Sequence, residues 1–294
     1  MPLPRPEERD RTALVRRVLI GLLVANVTVV GAKFFVGLVS GSLAVLGDTL
    51  HSTIDALNNV LALVVARVAS KEPDEDHPYG HGKFETLGAL AIVGFMSITC
   101  FELVRDAMAR LATGRVSPML SDAQLGVLVG TLGVNALVAQ YEARRGRELD
   151  SELLLADAAH TRADVFITLG VLIGMLAARQ GLSWADPVLA LLIAGFIVRI
   201  AYRIFQRAVP VLVDARALPD TTIRALAESV SGVKSAYGIR SRGGGGPQLR
   251  YAEVTIAVDR SANVAAAHAI ADQVEERLKQ DLHLREVTVH VEPC

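Results

Sequence analysis

Cysteine is scarce in this chain of 294 residues, and so is any excess of charge of one sign. The two cysteines, Cys100 in an apolar segment and Cys294 at the last position, are too few and too badly placed for a disulfide framework. The formal net charge of −1 argues against a nucleic-acid partner. The charged segment 1–17 contains no short hydrophobic region with a small-residue cleavage site, so we expect the first apolar run to remain as a membrane span.

Apolar residues, in contrast, are abundant. They make up 51% of the chain, and the mean hydropathy of +0.38 is typical of membrane proteins rather than of soluble domains. Six apolar runs reach the roughly 20 residues that a helix needs to cross the hydrocarbon core. They lie near residues 18–38, 42–66, 84–105, 119–141, 151–178 and 184–205. The sequence therefore predicts a six-helix transmembrane domain over residues 18–208, after a cytoplasmic segment 1–17.

The distribution of Lys and Arg predicts the orientation of these spans. The N-terminal segment and the segments after the second and fourth spans carry more of these residues than the other loops. Cytoplasmic loops hold the excess of Lys and Arg in membrane proteins. We therefore expect the N-terminus in the cytoplasm, and an even number of spans places the C-terminus there as well.

Residues 209–294 differ in composition, because no later apolar run reaches membrane length and Pro, Asp and Gly interrupt the chain. The pattern predicts helix, strand, a Gly-rich hairpin loop, strand, helix and strand. This αββαβ order on a short segment is typical of a small cytoplasmic α+β domain with both helices on one face of the sheet.

Two apolar segments contain the same polar spacing, D-x-x-H-x-x-x-D. The first copy is "DTLHSTID", Asp48 to Asp55, and the second is "DAAHTRAD", Asp157 to Asp164. In a helix, positions i, i+3 and i+7 lie along one stripe. Ionisable groups at membrane depth are costly, so they normally face a partner or a water-filled cavity. Each motif thus places its polar groups on one face of a span.

Together the motifs supply the ligands of a metal site. One His and one Asp from each helix give four N and O donors, which suits Zn²⁺. The predicted ligands are His51, Asp55, His160 and Asp164. Asp48 and Asp157 precede each His by one turn, and we expect them to orient the imidazole rings rather than to bind the ion. The alternative is that all these groups form hydrogen bonds between helices without a metal.

A second candidate site lies in the loop after the second span, "PDEDHPYGHGKFE". Asp74, His77 and His81 are three ligand-type residues close in sequence, and Gly80 and Gly82 on either side of His81 permit tight turns. A solvated acidic loop with incidental histidines is the alternative. Lys33 in the first span and Glu102 in the third are further charges at membrane depth without an assigned role.

The runs "GSLAVLGDTLHSTID", "DEDHPYGHGKFE" and "ADAAHTRAD", in this order and followed by an αββαβ tail, resemble the cation diffusion facilitator family of divalent-metal/proton antiporters. The resemblance covers about residues 15–293. It implies a homodimer in the lipid bilayer whose protomers each carry a transport site between spans two and five. It also places the transport ligands and the loop ligands on the residues already named.

Some members of this family carry a further metal site in the tail, and here the match is partial. His268, His290 and Glu292 stand at ligand-type positions, but Tyr237 and Thr255 stand where those members have histidines. For His268 the alternative is a histidine packed on the apolar face of its helix.

We therefore expect a homodimer in a bacterial inner membrane that exports Zn²⁺, or Cd²⁺, Co²⁺, Fe²⁺ or Mn²⁺, in exchange for protons. Histidine titrates near neutral pH and must lose its proton to bind a metal, which couples the two ions. A membrane-embedded hydrolase is one alternative, but no H-E-x-x-H occurs and the four ligands leave no open position for a catalytic water. A metal-sensing membrane protein that does not transport is the other.

Overall fold

The computed structural model describes residues 6–40, 43–113, 122–182, 184–243 and 249–294. For some positions inside these ranges it gives the backbone alone, and Asp48, His51 and Asp55 are among them.

The first part of the described chain consists of six long α-helices. They are α1 (Pro6–Ser40), α2 (Leu43–Ala69), α3 (Lys83–Thr113), α4 (Asp122–Glu148), α5 (Glu152–Arg179) and α6 (Ala185–Leu212). The shorter ones have 27 residues, or about 40 Å at 1.5 Å per residue. Each is therefore longer than the hydrocarbon core of a bilayer. Helix α1 begins at Pro6 and so includes most of the charged segment that precedes the first apolar run.

Four segments are both long and apolar enough to span a membrane, judged on the described residues. They are Arg11–Phe35, Lys83–Thr113, Glu152–Ala177 and Ala185–Leu212. In α2 the apolar segment found is the shorter Ala56–Ala69. Large apolar side chains such as Phe35, Phe101 and Leu192 are exposed along these helices. This is the surface that lipid covers, and it agrees with the predicted helical membrane protein.

A small buried core holds the six helices together. Helix α1 packs along α2, α4 packs along α5, and α2 also meets α5. The buried core residues include Leu19 of α1, Met96 of α3, Leu154 of α5 and Ile197 of α6. Many of the others are alanines, which let helices approach closely where lipid supplies no hydrophobic driving force.

Two glycines of α5 allow α6 to lie close to this helix. A Cβ atom at Gly170 would lie 2.2 Å from Cδ1 of Ile193. At Gly174 it would lie 2.4 Å from Oδ1 and 3.0 Å from Cα of Asp186. Asp186 also accepts a hydrogen bond of 2.9 Å from Arg110, which ties α6 to α3. The G-x-x-x-G spacing on α5 thus allows α6 to pack closely against it.

Arg11 joins three helices at the end of the bundle where α5 begins. Its Nε donates to the carbonyl of Leu149 at 2.7 Å, and its Nη2 donates to the carbonyl of Asp150 at 2.9 Å. The guanidinium also pairs with the carboxylate of Glu85 on α3 at 3.2 Å. Ser151 donates its hydroxyl to the same carboxylate and accepts the N–H of Leu154, in the first turn of α5.

The C-terminal part forms the predicted αββαβ domain. Its elements are α7 (Asp220–Glu228), β1 (Val233–Gly243), β2 (Arg250–Val258), α8 (Val264–Leu282) and β3 (Glu286–Pro293). The strand order is β1-β2-β3, with β2 antiparallel to β1 and parallel to β3. The parallel pair requires a crossover connection, and α8 supplies it.

The sheet has one apolar and one polar face. Register pairs Val254 with Val289 and Ile256 with Val291, and these residues form one core with α7 and α8. The next residues along the strands point to the other face because side chains alternate. That face carries Thr255 paired with His290, and Ala257 paired with Glu292.

The chain separates into two compact units. One comprises residues up to Glu72 together with Phe84–Ala208, and the other comprises Val209–Cys294 together with the loop Pro73–Lys83. The loop between α2 and α3 therefore belongs structurally to the small domain rather than to the helical bundle.

Replacing Gly174 with Leu should lower the thermal stability of the detergent-solubilised protein, because the new side chain displaces Asp186 and α6. Overpacking of this kind costs about 1–3 kcal/mol. Gly195→Leu is the matched control, since a Cβ at Gly195 meets nothing within 4 Å. The melting temperatures would be compared by size-exclusion chromatography after heating. Equal melting temperatures for the two variants would contradict the close α5–α6 packing.

Candidate functional site

Helix α5 holds the second polar motif on a buried face. Asp157 is 2% exposed and His160 is 7% exposed. Nε2 of His160 lies 3.8 Å from Oδ2 of Asp164, one turn further along the helix. The i, i+4 spacing produces this proximity, because residues four apart are neighbours on a helix surface. The predicted stripe on α5 is therefore real and faces the interior of the bundle.

The first motif lies on α2. The backbone of Asp48, His51 and Asp55 is helical, and their side chains lie outside the described part of the structure. One contact shows where this helix meets the second motif: Nδ2 of Asn58 is 3.3 Å from Nε2 of His160, and both side chains are buried. Helices α2 and α5 thus meet at the histidine of the second motif.

Sequence reasoning did not identify Asn58. Its position in the sequence could have indicated it. Asn58 follows His51 by seven residues and Asp55 by three, and so lies on the same stripe of α2. A neutral amide is a common hydrogen-bonding group between membrane helices, so its presence beside ionisable residues does not by itself indicate a metal ligand.

A polar cavity of about 300 Å³ reaches Asp164. Residues of α1 to α5 line it, and most of them are polar. They include Lys33, Ser52, Thr99, Glu102, Asp106, Thr131, Asn135, Asp164 and Thr168. Lys33 donates a hydrogen bond of 2.8 Å to Oγ of Ser52, and both residues are buried. The two unassigned charges of the sequence, Lys33 and Glu102, thus line the same cavity as Asp164, a predicted metal ligand.

A buried acid on α4 is a further member of this region. Glu142 is 1% exposed, and its Oε2 accepts a hydrogen bond of 3.1 Å from the hydroxyl of Thr161. Thr161 directly follows His160 on α5. Glu142 was not predicted from the sequence, because it lies beyond the predicted end of the fourth span and next to a run of charged residues.

The loop residues Asp74, His77 and His81 form a compact cluster. Their ligand atoms all lie within 4.8 Å of one another, and no other such group of three occurs in the described parts of the chain. Asp74 contacts both rings, with Oδ1 3.3 Å from Nδ1 of His77 and Oδ2 3.4 Å from Nε2 of His81. The ring centroids of the two histidines are 4.3 Å apart. One carboxylate and two imidazoles can supply three ligands to one Zn²⁺ ion.

The backbone of the loop preorganises this cluster. The N–H of His77 donates to Oδ1 of Asp74 at 2.8 Å, and the N–H of Asp74 donates to the carbonyl of His77. Gly80 has a φ of 83°, which an L side chain rarely adopts, and Pro73 lies against it. The hydrogen bond from the His77 backbone lowers the pKa of Asp74, so this carboxylate stays ionised in mild acid.

Tyr79 anchors the loop to the small domain. The guanidinium carbon of Arg242 lies 3.9 Å from the Tyr79 ring centroid, a cation–π contact. The ring of Tyr251 packs edge-on at 5.7 Å, and its hydroxyl donates to the Tyr79 carbonyl at 3.1 Å. Lys83 adds an ion pair of 2.7 Å with Asp214. Aromatic contacts at Tyr79, between the two histidines, and the ion pair of Lys83, just after them, therefore hold the loop in place.

The structure brings together two of the three tail residues. His290 and Glu292 lie on the polar face of the sheet, with Nε2 of His290 3.5 Å from Oε1 of Glu292. The Tyr237 hydroxyl donates to Glu292, and this bond raises the pKa of the tyrosine. Within the described residues the three do not form a cluster.

His268 lies apart on α8. Its side chain is 76% exposed and is 3.7 Å from Oδ2 of Asp272. The packed-histidine interpretation is thus wrong, because α8 buries Ala271, Val274 and Leu278 instead. A tail metal site stays a prediction.

Comparison with known proteins places the whole arrangement in one family. The cation efflux transmembrane domain matches residues 19–213, and the cation efflux protein cytoplasmic domain matches residues 219–294. The chain belongs to the cation diffusion facilitator family. The family therefore accounts for the helical bundle and the small domain alike, and the resemblance drawn from the motifs is confirmed.

Two bacterial relatives match this cation diffusion facilitator over most of their length. The manganese efflux system protein MneS of Bacillus subtilis is 29% identical over 92% of this chain and 93% of that protein. The cation-efflux pump FieF of Serratia proteamaculans is 30% identical over 87% and 85%. Among solved structures, a C-terminal domain of MamM is 28% identical and covers 25% of this chain and 91% of that chain, with a TM-score of 0.24.

Membership of the family establishes the coarse function. The facilitator is a divalent metal cation efflux transporter of the lipid bilayer, and it is not an enzyme. Its C-terminal domain is the family's dimerisation domain, so the protein is a homodimer. Membership of the family does not determine which metal the protein carries or which ion is exchanged for it.

Replacing both His77 and His81 with Ala should lower the amount of Zn²⁺ bound to the purified protein by about one ion per protomer, since the loop then keeps a single ligand. His283→Asn is the control, because it removes an imidazole elsewhere and Asn tolerates the left-handed φ of 52° at that position. Bound metal would be measured by elemental analysis after gel filtration. Unchanged stoichiometry in the double variant would make the cluster a structural turn.

Acidification should release metal from the loop. Histidine side chains in general titrate near pH 6.5, and a protonated ring cannot bind an ion. Asp74 remains ionised through this range because of its lowered pKa. Binding to the loop should therefore weaken progressively as the pH falls, because protons compete with the metal for the two imidazoles. Competition with a chelator at several pH values measures this, and affinity independent of pH between 5 and 7 would contradict it.

Proposed function

We propose that this facilitator exports Zn²⁺ from the cytoplasm in exchange for protons. In the proposal, His51 and Asp55 of α2 and His160 and Asp164 of α5 form a four-ligand site inside the membrane. Asp48 and Asp157 orient the histidines. Asp74, His77 and His81 bind a further ion in the cytoplasmic loop.

One observation carries the proposal: the second motif faces α2 at the level of the first. His160 lies within 3.8 Å of Asp164 on its own helix and within 3.3 Å of Asn58 on α2. Because Asn58 is one turn beyond Asp55, the first motif lies next to this contact along α2. A buried half-site on α5 that meets α2 next to the first motif is the arrangement that a shared ion requires.

Proton exchange follows from the ligands. An imidazole that binds a metal ion has lost its proton, and protonation of the same ring expels the ion. The polar cavity beside Asp164 has room for water molecules next to this proposed ligand, and water can carry protons to it. A metal gradient and a proton gradient thus act on the same nitrogen atoms in opposite senses.

The proposed location is a bacterial inner membrane with both termini in the cytoplasm. The excess of Lys and Arg in the N-terminal segment and in the segments after α2 and α4 supports this orientation. Bacterial relatives such as MneS support the assignment to a bacterial inner membrane. In this orientation the loop cluster faces the compartment from which metal is removed.

Manganese is the second candidate cargo. Two relatives from Bacillus subtilis, MneS and MneP, are named as manganese efflux proteins and are 29% and 28% identical to this chain. Two imidazoles favour Zn²⁺, whereas Mn²⁺ prefers oxygen donors and more of them. The donor set at the site therefore decides between the two ions.

Asp164→Ala should abolish zinc transport, because it removes an anionic ligand that offsets the charge of the ion in a low-dielectric site. The measurement is zinc flux into proteoliposomes under an imposed pH gradient. Asp106→Ala is the matched control, since Asp106 lines the same cavity and is paired with Arg110 at 2.7 Å. Near-normal flux in Asp164→Ala, with the homodimer intact by gel filtration, would sink the proposed site.

The pH gradient provides the separate test of exchange. Collapsing it should slow zinc flux in the parent protein, and zinc flux should in turn move protons that a trapped pH-sensitive dye detects. Zinc flux that is indifferent to the gradient would leave the metal site in place and overturn antiport.

A further inference from the structure

The amide of Asn58 occupies the place beside His160 where a second metal ligand would stand. Its Nδ2 is 3.3 Å from Nε2 of His160. Two donors that each lie about 2.1 Å from one ion are separated by about 3.4 Å at a tetrahedral angle and by about 3.0 Å at a right angle. The observed separation falls between these values. It is therefore the spacing of two ligands of one ion as well as that of a hydrogen bond.

The chemistry of the amide permits both uses. In the structure the amide N–H₂ group faces the imidazole nitrogen, which accepts the hydrogen bond when its proton is on Nδ1. Rotation of the amide by half a turn puts its oxygen at the same place. That oxygen is a neutral, hard donor of the kind that Ca²⁺, Mg²⁺ and Mn²⁺ accept.

Helix geometry supports the same conclusion. Positions 51, 55 and 58 follow the i, i+4, i+7 spacing of a single stripe, so Asn58 extends the ligand stripe of α2 by one turn. Asn58 is 7% exposed, as is His160. A buried amide requires partners, and this one is directed at a predicted ligand rather than at backbone or lipid.

We propose that Asn58 is an additional metal-binding residue that sets the selectivity of the intramembrane site between Zn²⁺ and Mn²⁺. The inference rests on the proposed site of His51, Asp55, His160 and Asp164 and adds a fifth protein donor to it. Zn²⁺ is satisfied by four ligands, and the amide then stays uncoordinated, because Nε2 of His160 is bound to the ion and no longer accepts its hydrogen bond. Mn²⁺ takes the amide oxygen because it requires a larger, oxygen-rich set. The site thereby transports both ions, and Asn58 determines the efficiency of Mn²⁺ transport.

The test compares Asn58→Ala with the parent in zinc and manganese flux, using reconstituted protein under one pH gradient. Loss of the amide should reduce kcat/KM for Mn²⁺ by about tenfold or more and change that for Zn²⁺ by less than about threefold. Asn58→Asp keeps an oxygen donor and adds charge, so it should retain manganese transport. Asn59→Ala is the matched control, because Asn59 is equally buried on the next position of α2.

A merely structural role predicts a different result. If Asn58 only holds the His160 ring, its removal weakens both metals alike, and the zinc-to-manganese ratio stays constant. An unchanged ratio in Asn58→Ala overturns the inference. If that variant does not fold, Asn58→Asp decides: a fall in manganese flux as steep as the fall in zinc flux also overturns it.

A binding measurement separates metal binding from transport. In the His77→Ala, His81→Ala background, Mn²⁺ bound to the remaining sites is counted by the loss of the electron paramagnetic resonance signal of free Mn²⁺. Adding Asn58→Ala should abolish most of this binding at concentrations that saturate the parent. Asp164→Ala separates the two claims: normal transport in that variant refutes the proposed site itself, whereas a dead Asp164→Ala beside an unchanged Asn58→Ala refutes only the role of Asn58.

Discussion

The cost of a charge in hydrocarbon is the constraint on which this protein depends. Each Asp, His or Lys at membrane depth must find a partner or a wet cavity, since lipid offers it neither. Helix α5 meets the requirement by turning Asp157, His160 and Asp164 inwards, and Lys33 meets it by bonding Ser52. A doubly charged ion is a partner that suits such a group of carboxylates and imidazoles, which is why the proposed transport site includes this face of α5.

Much of the fold was predictable because the signals are repetitive. Apolar runs of membrane length predicted the helices, and period-2 alternation predicted the three strands. Helix ends were less predictable: α1 begins at Pro6 and α3 continues to Thr113, because helix propensity extends beyond the apolar residues. Identical spacing located the stripe on α5. The side chains of His51 and Asp55 lie outside the described residues, so the four-ligand set remains a prediction.

Other features could not be read from the chain because they depend on tertiary contacts. Asn58 is an ordinary polar residue until α5 places His160 beside it. The position of His268 followed from which face of α8 packs on the sheet, and the apolar pattern around it is ambiguous. The binding of Tyr79 between Arg242 and Tyr251 joins segments far apart in sequence. Here the loop and the small domain share one compact unit, which no local pattern indicates.

The hydrogen bonds of Arg11 fix one end of α5. The guanidinium and Ser151 hold the first turn of this helix to α1 and α3, whereas Asp164 lies thirteen residues further on, about 20 Å along the axis. A tilt of about 5° about the held end moves Asp164 sideways by about 2 Å. In the proposed site, that distance would be enough to change which donors reach an ion beside His160. A small angular change at the held end of α5 would thus become a large displacement at the proposed ligands.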